Sequence, residues 1–258
     1  MAEEEHEFPG ADYSTRVRSG IEGLDELMEG GFPKGCSVLM SGECGTGKTT
    51  FCSQYLYYGA KEYGETGMYI SFNERPHELR QEMSRFGMDF RPLERAKKLI
   101  LVDGASPRAR IETGEKFVLI PKTDNVVDVI KKAVDYGHRL GVSRLVIDSL
   151  ADIGMRLPQD EIRDQLFRLF TILTASGSTN LVTVEKPTGT NKLSPYGIEE
   201  FLAHGILVLG YRRQGPILMR TTEIRKMRGT AHDTGLYAFD FAASGIKMYP
   251  MPTEMAPF

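Results

Sequence analysis

Apolar positions change period along this chain, and the changes mark its elements. Short, mostly apolar runs at Cys36–Met40, Gly67–Phe72, Leu99–Asp103, Arg144–Asp148 and Leu181–Val184 read as buried strands. Between them, apolar residues recur every three or four positions and predict helices over Lys48–Tyr63, Pro76–Phe86, Asn125–Leu140 and Asp160–Ala175. The last of these puts Ile162, Leu166, Leu169, Phe170 and Leu173 on one face. Ser19–Met28 also predicts a helix, with Ser19 as N-cap, Ile21, Leu24, Leu27 and Met28 at helical spacing, and Gly30-Gly31-Phe32-Pro33 as its end. Residues 104–124 have no period and read as a long surface loop with room for a short strand at Phe117–Ile120. Beyond residue 200, Gly205–Gly210, Ile217–Lys226, Leu236–Phe241 and Ile246–Tyr249 follow one another without long helices. They predict antiparallel hairpins that continue the sheet.

Strands alternating with helices over residues 37–184 imply right-handed βαβ units. The expected fold is therefore α/β: a mainly parallel central sheet flanked by helices and extended by C-terminal antiparallel strands. No composition break, linker or repeat interrupts it, so one domain is expected over residues 16–250, after an acidic, loosely attached arm (1–15) and before a tail (251–258). The 258 residues are 41% hydrophobic and 26% charged, enough apolar material for a sizeable core. A net charge of −3 argues against a general polyanion binder. Met1-Ala2-Glu3-Glu4-Glu5-His6-Glu7 lacks the basic start and apolar core of a signal peptide, and no apolar run approaches the ~18 residues of a membrane span. A cytoplasmic location with no membrane span is the expectation.

Candidate chemistry is concentrated in Gly42-Glu43-Cys44-Gly45-Thr46-Gly47-Lys48-Thr49, which fits the phosphate-loop pattern G-x-x-x-x-G-K-[ST] at every fixed position. Glycines let successive backbone N–H groups curl around phosphates. Lys48 supplies a point charge for the β- and γ-phosphates, the Thr49 hydroxyl a ligand for Mg²⁺, and Thr50 joins the nucleotide-binding set. A strand before the loop and a helix after it give the context the motif needs, because the helix N-terminus is aimed at the same anion. Cys36, Cys44 and Cys52 match no zinc or redox spacing and read as reduced thiols. Cys44, inside the loop, is either a reactive thiolate or a small tolerated side chain.

Asp148 ends an apolar strand about 100 residues after the loop, where a carboxylate holds the Mg²⁺ shell beside Thr49. Glu74 follows the second strand, in Phe72-Asn73-Glu74-Arg75-Pro76. Strand carboxyl ends in an open α/β sheet converge on the ligand, so Glu74 either orients an attacking water or is an exposed residue before the next helix.

These residues together resemble the KaiC-like branch of the RecA-superfamily phosphate-loop ATPases. The likeness runs through Gly20–Asp25, Gly30–Gly35, the phosphate loop, Phe86–Asp89, Ile147–Ser149, Tyr196–Phe201 and Lys226–Thr230. The resemblance implies ATP and Mg²⁺ as ligands and a homo-oligomeric ring, usually a hexamer, with ATP between subunits. It implies that Lys226 and Arg228 reach the next subunit's γ-phosphate, two residues apart on one strand face. It places Thr230 and His232 near the base and ribose. Where the clock proteins of this branch carry two adjacent glutamates, this chain has Asn73-Glu74, and an amide cannot accept a proton as a carboxylate can. Glu199-Glu200 stands where their second half carries a phosphorylated Ser and Thr, so autokinase activity is not expected.

The sequence therefore reads as an ATP-hydrolysing, ring-forming regulatory ATPase, with Glu74, Lys226 and Arg228 as its catalytic set. The alternative is an ATP-binding signalling or scaffold module with little turnover, which Asn73 favours. An unidentified protein partner fits either reading. A DNA recombinase or helicase is disfavoured because the loop Glu185–Lys192 has two lysines only and the chain has no room for a second domain.

Overall fold

The computed structural model describes residues 10–119, 126–150, 158–187 and 189–251. Nine strands form one sheet. They are β3 (Ser37–Gly42), β4 (Thr66–Ser71), β5 (Leu99–Asp103), β6 (Val142–Asp148), β7 (Thr179–Glu185), β8 (Gly205–Gln214), β9 (Ile217–Met227), β10 (Leu236–Ala242) and β11 (Gly245–Pro250), in the order β11-β10-β9-β8-β3-β7-β6-β4-β5. From β8 to β5 the neighbours are parallel; from β8 to β11 they are antiparallel. A small second sheet pairs β1 (Asp12–Val17) with β2 (Phe32–Lys34).

Side chains alternate across the parallel strands and divide the core in two. Val38, Met40, Tyr69, Val146 and Leu181 pack with Phe51, Tyr55 and Leu56 of α1 (Lys48–Glu62) and with Leu79 and Met83 of α2 (Pro76–Arg85). Leu39, Met68, Ile70, Leu145, Ile147 and Val182 pack on the other face against α5 (Val126–Arg139) and α6 (Gln159–Ala175). Arg144 of β6 is fully buried beneath α1. Its guanidinium lies 4.5 Å from the Tyr55 ring centroid, donates to the Tyr55 carbonyl at 2.8 Å and pairs with Glu65. A buried charge needs such partners.

Several expectations require correction. Ser19–Met28 is not a helix; only Asp25–Met28 forms a single 3-10 turn. Gly20 and Gly23 hold left-handed φ angles of +72° and +88°, and a Cβ at Gly23 would lie 2.8 Å from the Met248 carbonyl oxygen, so the backbone leaves helical space there. Ile21 and Leu24, before the turn, and Met28, at its end, are nevertheless buried and packed on the core. Residues 12–15, placed in the N-terminal arm, begin β1. Residues 1–9 and 252–258, from the arm and the tail, lie outside the described residues, as does the stretch 120–125. The expected loop 104–124 opens with α4 (Ala105–Ala109), and its Val118 bridges Asp103 alongside β5. A short helix, α3 (Arg91–Arg95), precedes β5 and was not expected. β8 pairs parallel with β3 although no long helix precedes it; a loop and α7 (Glu199–Leu202) make the crossover.

Candidate nucleotide site

The carboxyl ends of β3, β7, β6 and β4 lie side by side, and the phosphate loop rises from the first of them. The loop's shape follows from its glycines. Gly45 and Gly47 take φ angles of +77° and +102°, conformations that side chains disfavour. A Cβ at Gly42 would lie 2.7 Å from the Thr46 hydroxyl and 2.8 Å from the Leu209 carbonyl oxygen. Thr46 is fully buried, and its hydroxyl donates to the Glu43 carbonyl at 2.8 Å, closing the loop on itself. Gly47 is the N-cap of α1 and offers no side-chain cap, so the first-turn N–H groups remain available to an anion.

Lys48 folds over this loop, donating to the carbonyls of Gly42 at 2.7 Å and Glu43 at 3.0 Å. Burial lowers its pKa, opposed by the carboxylates of Glu185 and then Asp148. Thr50 is buried in the first turn of α1, and Cys44 is exposed. Cys36 and Cys52 are buried thiols, both pushed upward by burial, Cys36 to about 12.

The Thr49 hydroxyl donates to Asp148 Oδ2 at 2.9 Å across 99 residues of sequence. Tyr69 donates to the same oxygen at 2.6 Å, and Thr183 donates to Oδ1 at 2.6 Å. α1, β4 and β7 thus each direct one hydroxyl at the carboxylate that ends β6. Burial and the Asp148 charge push the Tyr69 phenol up, which keeps it a donor. A hydroxyl beside a carboxylate is a hard oxygen donor set of the kind Mg²⁺ uses, with substrate phosphates and water filling the other positions.

Glu74 stands just beyond β4. Its pKa is raised to about 7, first by burial and then by the charges of Glu82, Asp148 and Glu78. Its Oε2 is buried without a hydrogen-bond partner. Asn73 is exposed and donates to the Ser149 hydroxyl at 3.3 Å.

Lys226 and Arg228 lie elsewhere. Gly42 is level with Leu209 and Thr222 in the sheet, whereas Met227 is level with Gly205 and Val38. The two cations thus sit at the end opposite the phosphate loop, four strand residues or about 13 Å away along β3. Lys226 Nζ donates to the carbonyls of Glu200 at 2.9 Å and Ala203 at 2.8 Å, and Arg228 Nη2 donates to that of Phe201 at 3.0 Å. Both therefore grip the end of α7, although Arg228 falls one residue past β9 rather than on it. Burial and the Arg228 charge lower the Lys226 pKa, and burial with both cations lowers that of His204. Thr230 and His232 follow in the same end region. The Thr230 hydroxyl accepts from Arg16 at 2.7 Å, and His232 is half-buried. The structure therefore gathers the loop, Asp148 and Glu74 at one end of the sheet, and Lys226, Arg228 and Thr230 at the other.

The KaiC ATPase family profile matches residues 17–253. The chain belongs to the KaiC ATPase family. A relative, UPF0273 protein MJ1359 of Methanocaldococcus jannaschii, is 33% identical over 91% of this chain and 96% of its own length. The circadian clock oscillator protein KaiC of Synechococcus elongatus is 33% identical over 92% of this chain but only 44% of its own, so this KaiC-like chain spans less than half of that relative. The crystal structure of the KaiC-like protein PH0186 from Pyrococcus horikoshii matches with a TM-score of 0.78 and 41% identity, covering 92% of this chain and 99% of that one. The RecA-type α/β fold expected from the sequence is the fold observed.

Residues the sequence reading did not single out also border the loop. Tyr211 donates to the Gly45 carbonyl at 2.6 Å, and a Cβ at Gly47 would lie 2.6 Å from the Phe241 ring. The Arg220 guanidinium lies 4.5 Å from the Phe241 centroid and 5.7 Å from that of Tyr211. Strand register brings them together: Tyr211 pairs with Arg220, and Arg220 with Phe239. No local sequence pattern carries that register. In the sequence Tyr69 and Thr183 each read as one more residue of a buried strand.

Proposed function

We propose that this chain is a Mg²⁺-dependent ATPase that works as a homo-oligomeric ring, with each nucleotide held between neighbouring subunits. The observation that carries this reading is the separation of Lys226 and Arg228 from the phosphate loop of the same chain. Two cations tied to backbone carbonyls beside a half-buried histidine form a positive end with no phosphate-binding loop of its own. In this reading a second copy's nucleotide supplies them with a phosphate, beyond the Glu200 carboxylate that already acts on Lys226.

In this reading the loop N–H groups of residues 42–47 and the N-terminus of α1 hold the phosphates, and Lys48 leaves its carbonyls for the β- and γ-phosphates. Thr49 and Asp148 would hold Mg²⁺, which when bound neutralises charge on the β- and γ-oxygens. Glu74, once ionised, orients the attacking water and takes its proton. Arg228 and Lys226 of the adjacent subunit stabilise the charge that develops on the transferred phosphoryl group, while Thr230 and His232 border the base and ribose.

A second reading, a nucleotide-occupancy switch with little turnover, draws on Asn73, an amide hydrogen-bonded to Ser149 where a second carboxylate would assist. Calorimetry and a phosphate-release assay separate these readings. Wild type should bind ATP with Mg²⁺ and release phosphate, and Lys48→Ala should bind weakly. ATP binding without phosphate release above background, in verified oligomers, selects the switch. Unchanged affinity in Lys48→Ala rejects both.

A further inference from the structure

Asp148 is held by more hydroxyls than the metal role alone requires. A carboxylate offers about four lone-pair positions. Thr49 and Tyr69 occupy two on Oδ2, and Thr183 occupies one on Oδ1. The Thr49 hydroxyl has a second task, since its oxygen is the metal ligand of the phosphate loop. Tyr69 and Thr183 have no such task. Both are essentially fully buried, on strands either side of β6. We propose that Tyr69, with Thr183, is a positioning residue that fixes the Asp148 carboxylate in the orientation that receives Mg²⁺.

The physical argument runs through preorganisation. An aspartate side chain has two torsions and rotates at little cost when only one oxygen is held. Donors on both oxygens fix the carboxylate plane. The 2.6 Å separations are those of charge-assisted O–H···O⁻ bonds, which are stronger than neutral ones. Tyr69 binds the oxygen that Thr49 also binds, so it acts on the edge of the carboxylate that faces the phosphate loop. Partners of this kind behind a metal ligand are typically worth about 10–100-fold in metal affinity. A role confined to satisfying a buried carboxylate would show in folding stability and leave the metal requirement alone.

This inference rests on the reading that Asp148 serves Mg²⁺, and the experiment keeps the two apart. A fluorescent ATP analogue is held at fixed concentration while Mg²⁺ is titrated against the full-length protein, and its binding is also measured without metal. Tyr69→Phe removes the hydroxyl and keeps the ring. It should raise the Mg²⁺ concentration for half-maximal binding about tenfold, with metal-free binding unchanged. Thr183→Val should shift it in the same direction, and Thr183→Ser, which retains a hydroxyl, should recover most of that shift. Asp148→Asn is the reference. An unchanged Mg²⁺ requirement in Tyr69→Phe, with Asp148→Asn strongly shifted, overturns the positioning role alone. An unchanged requirement in Asp148→Asn overturns the metal reading and this inference with it. Should Tyr69→Phe not fold, the Thr183 pair decides: equal requirements in Thr183→Val and wild type overturn the proposal.

Discussion

The two ends of the parallel sheet are built on different principles. At the carboxyl end a contiguous octapeptide curls on its own glycines, and adjacent strands deliver Asp148, Glu185 and Glu74 beside it. Most of it is braced by other parts of the same chain: Thr46 by Glu43, Asp148 by three hydroxyls, Gly45 by Tyr211; Glu74 Oε2 is the buried exception. At the amino end Lys226 and Arg228 spend their hydrogen bonds on carbonyls of a four-residue helix and its C-cap Ala203, and the Phe201 side chain is 76% exposed. One end looks finished without help and the other does not. A closed head-to-tail ring joins two different surfaces of one chain, and in the proposed assembly these ends would be that pair.

The sharpest way to break that comparison is to ask whether Arg228 acts on another subunit. Arg228→Ala should lower turnover about 10³-fold or more while its own phosphate loop stays intact. Lys48→Ala subunits lack a working loop but still offer Arg228. Mixed oligomers of the two, verified by mass spectrometry, should recover part of the activity, because some interfaces pair a good loop with a good arginine. Verified mixtures with no recovery would place Arg228 outside the neighbour's site.

The next largest effect belongs to the carboxyl end alone. Glu74→Gln should reduce turnover about 10²–10⁴-fold and leave ATP affinity nearly intact. If Glu74 is the base, the ionised carboxylate is the active form, and wild-type kcat/KM should rise with pH and level off above about 7, the value to which burial and neighbouring charges raise Glu74. Turnover that persists in the variant would pass the role to another group, with Glu185 next to Lys48 the first to test.

Phe201→Asp probes the amino end without touching a phosphate. Exposed aromatics at an interface centre typically cost about 2 kcal/mol or more when removed, roughly 30-fold in affinity. Light scattering with saturating ATP should show the variant dissociating at concentrations where wild type stays assembled. Identical assembly would free Phe201 from the interface while leaving the ring itself standing.

The same contrast explains what could be read from the sequence. Everything at the phosphate loop is local: the octapeptide's spacing is its chemistry, and the strand before it and helix after it lie within a few residues of their predicted bounds. The long amphipathic helices and the carboxyl-end position of Asp148 follow from period and order in the same way. The failures are non-local or carried by backbone angles. Ser19–Met28 has helical spacing, but Gly20 and Gly23 pack tightly against Tyr58 and Met248, far along the chain. The parallel pairing of β8 with β3 depends on a crossover of irregular loop and one helical turn, which leaves no periodic trace. Tyr69 reaches Asp148 across 79 residues, and only the β4–β6 register brings them together.

The smallest expected effect tests whether the carboxyl end is strained by its own charges. Glu74 is more basic in the folded chain than a free glutamate, so folding favours its protonated form. That contribution is complete below the usual glutamate pKa and is lost as pH rises through about 7. Above that pH the ionised carboxylate lies partly buried among Glu82, Asp148 and Glu78 and opposes folding. Glu74→Gln keeps the shape and never ionises. The nucleotide-free variant should therefore melt with wild type near pH 4 and above it at pH 8. Partial exposure screens the charge, so the gain should be about 1 kcal/mol, or roughly 2–4 °C in Tm. A difference that does not change with pH would mean that Glu74 is better solvated than its surroundings indicate. The Glu74 carboxylate that the proposed turnover uses as a base would then form well below pH 7, and the kcat/KM profile should shift down with it.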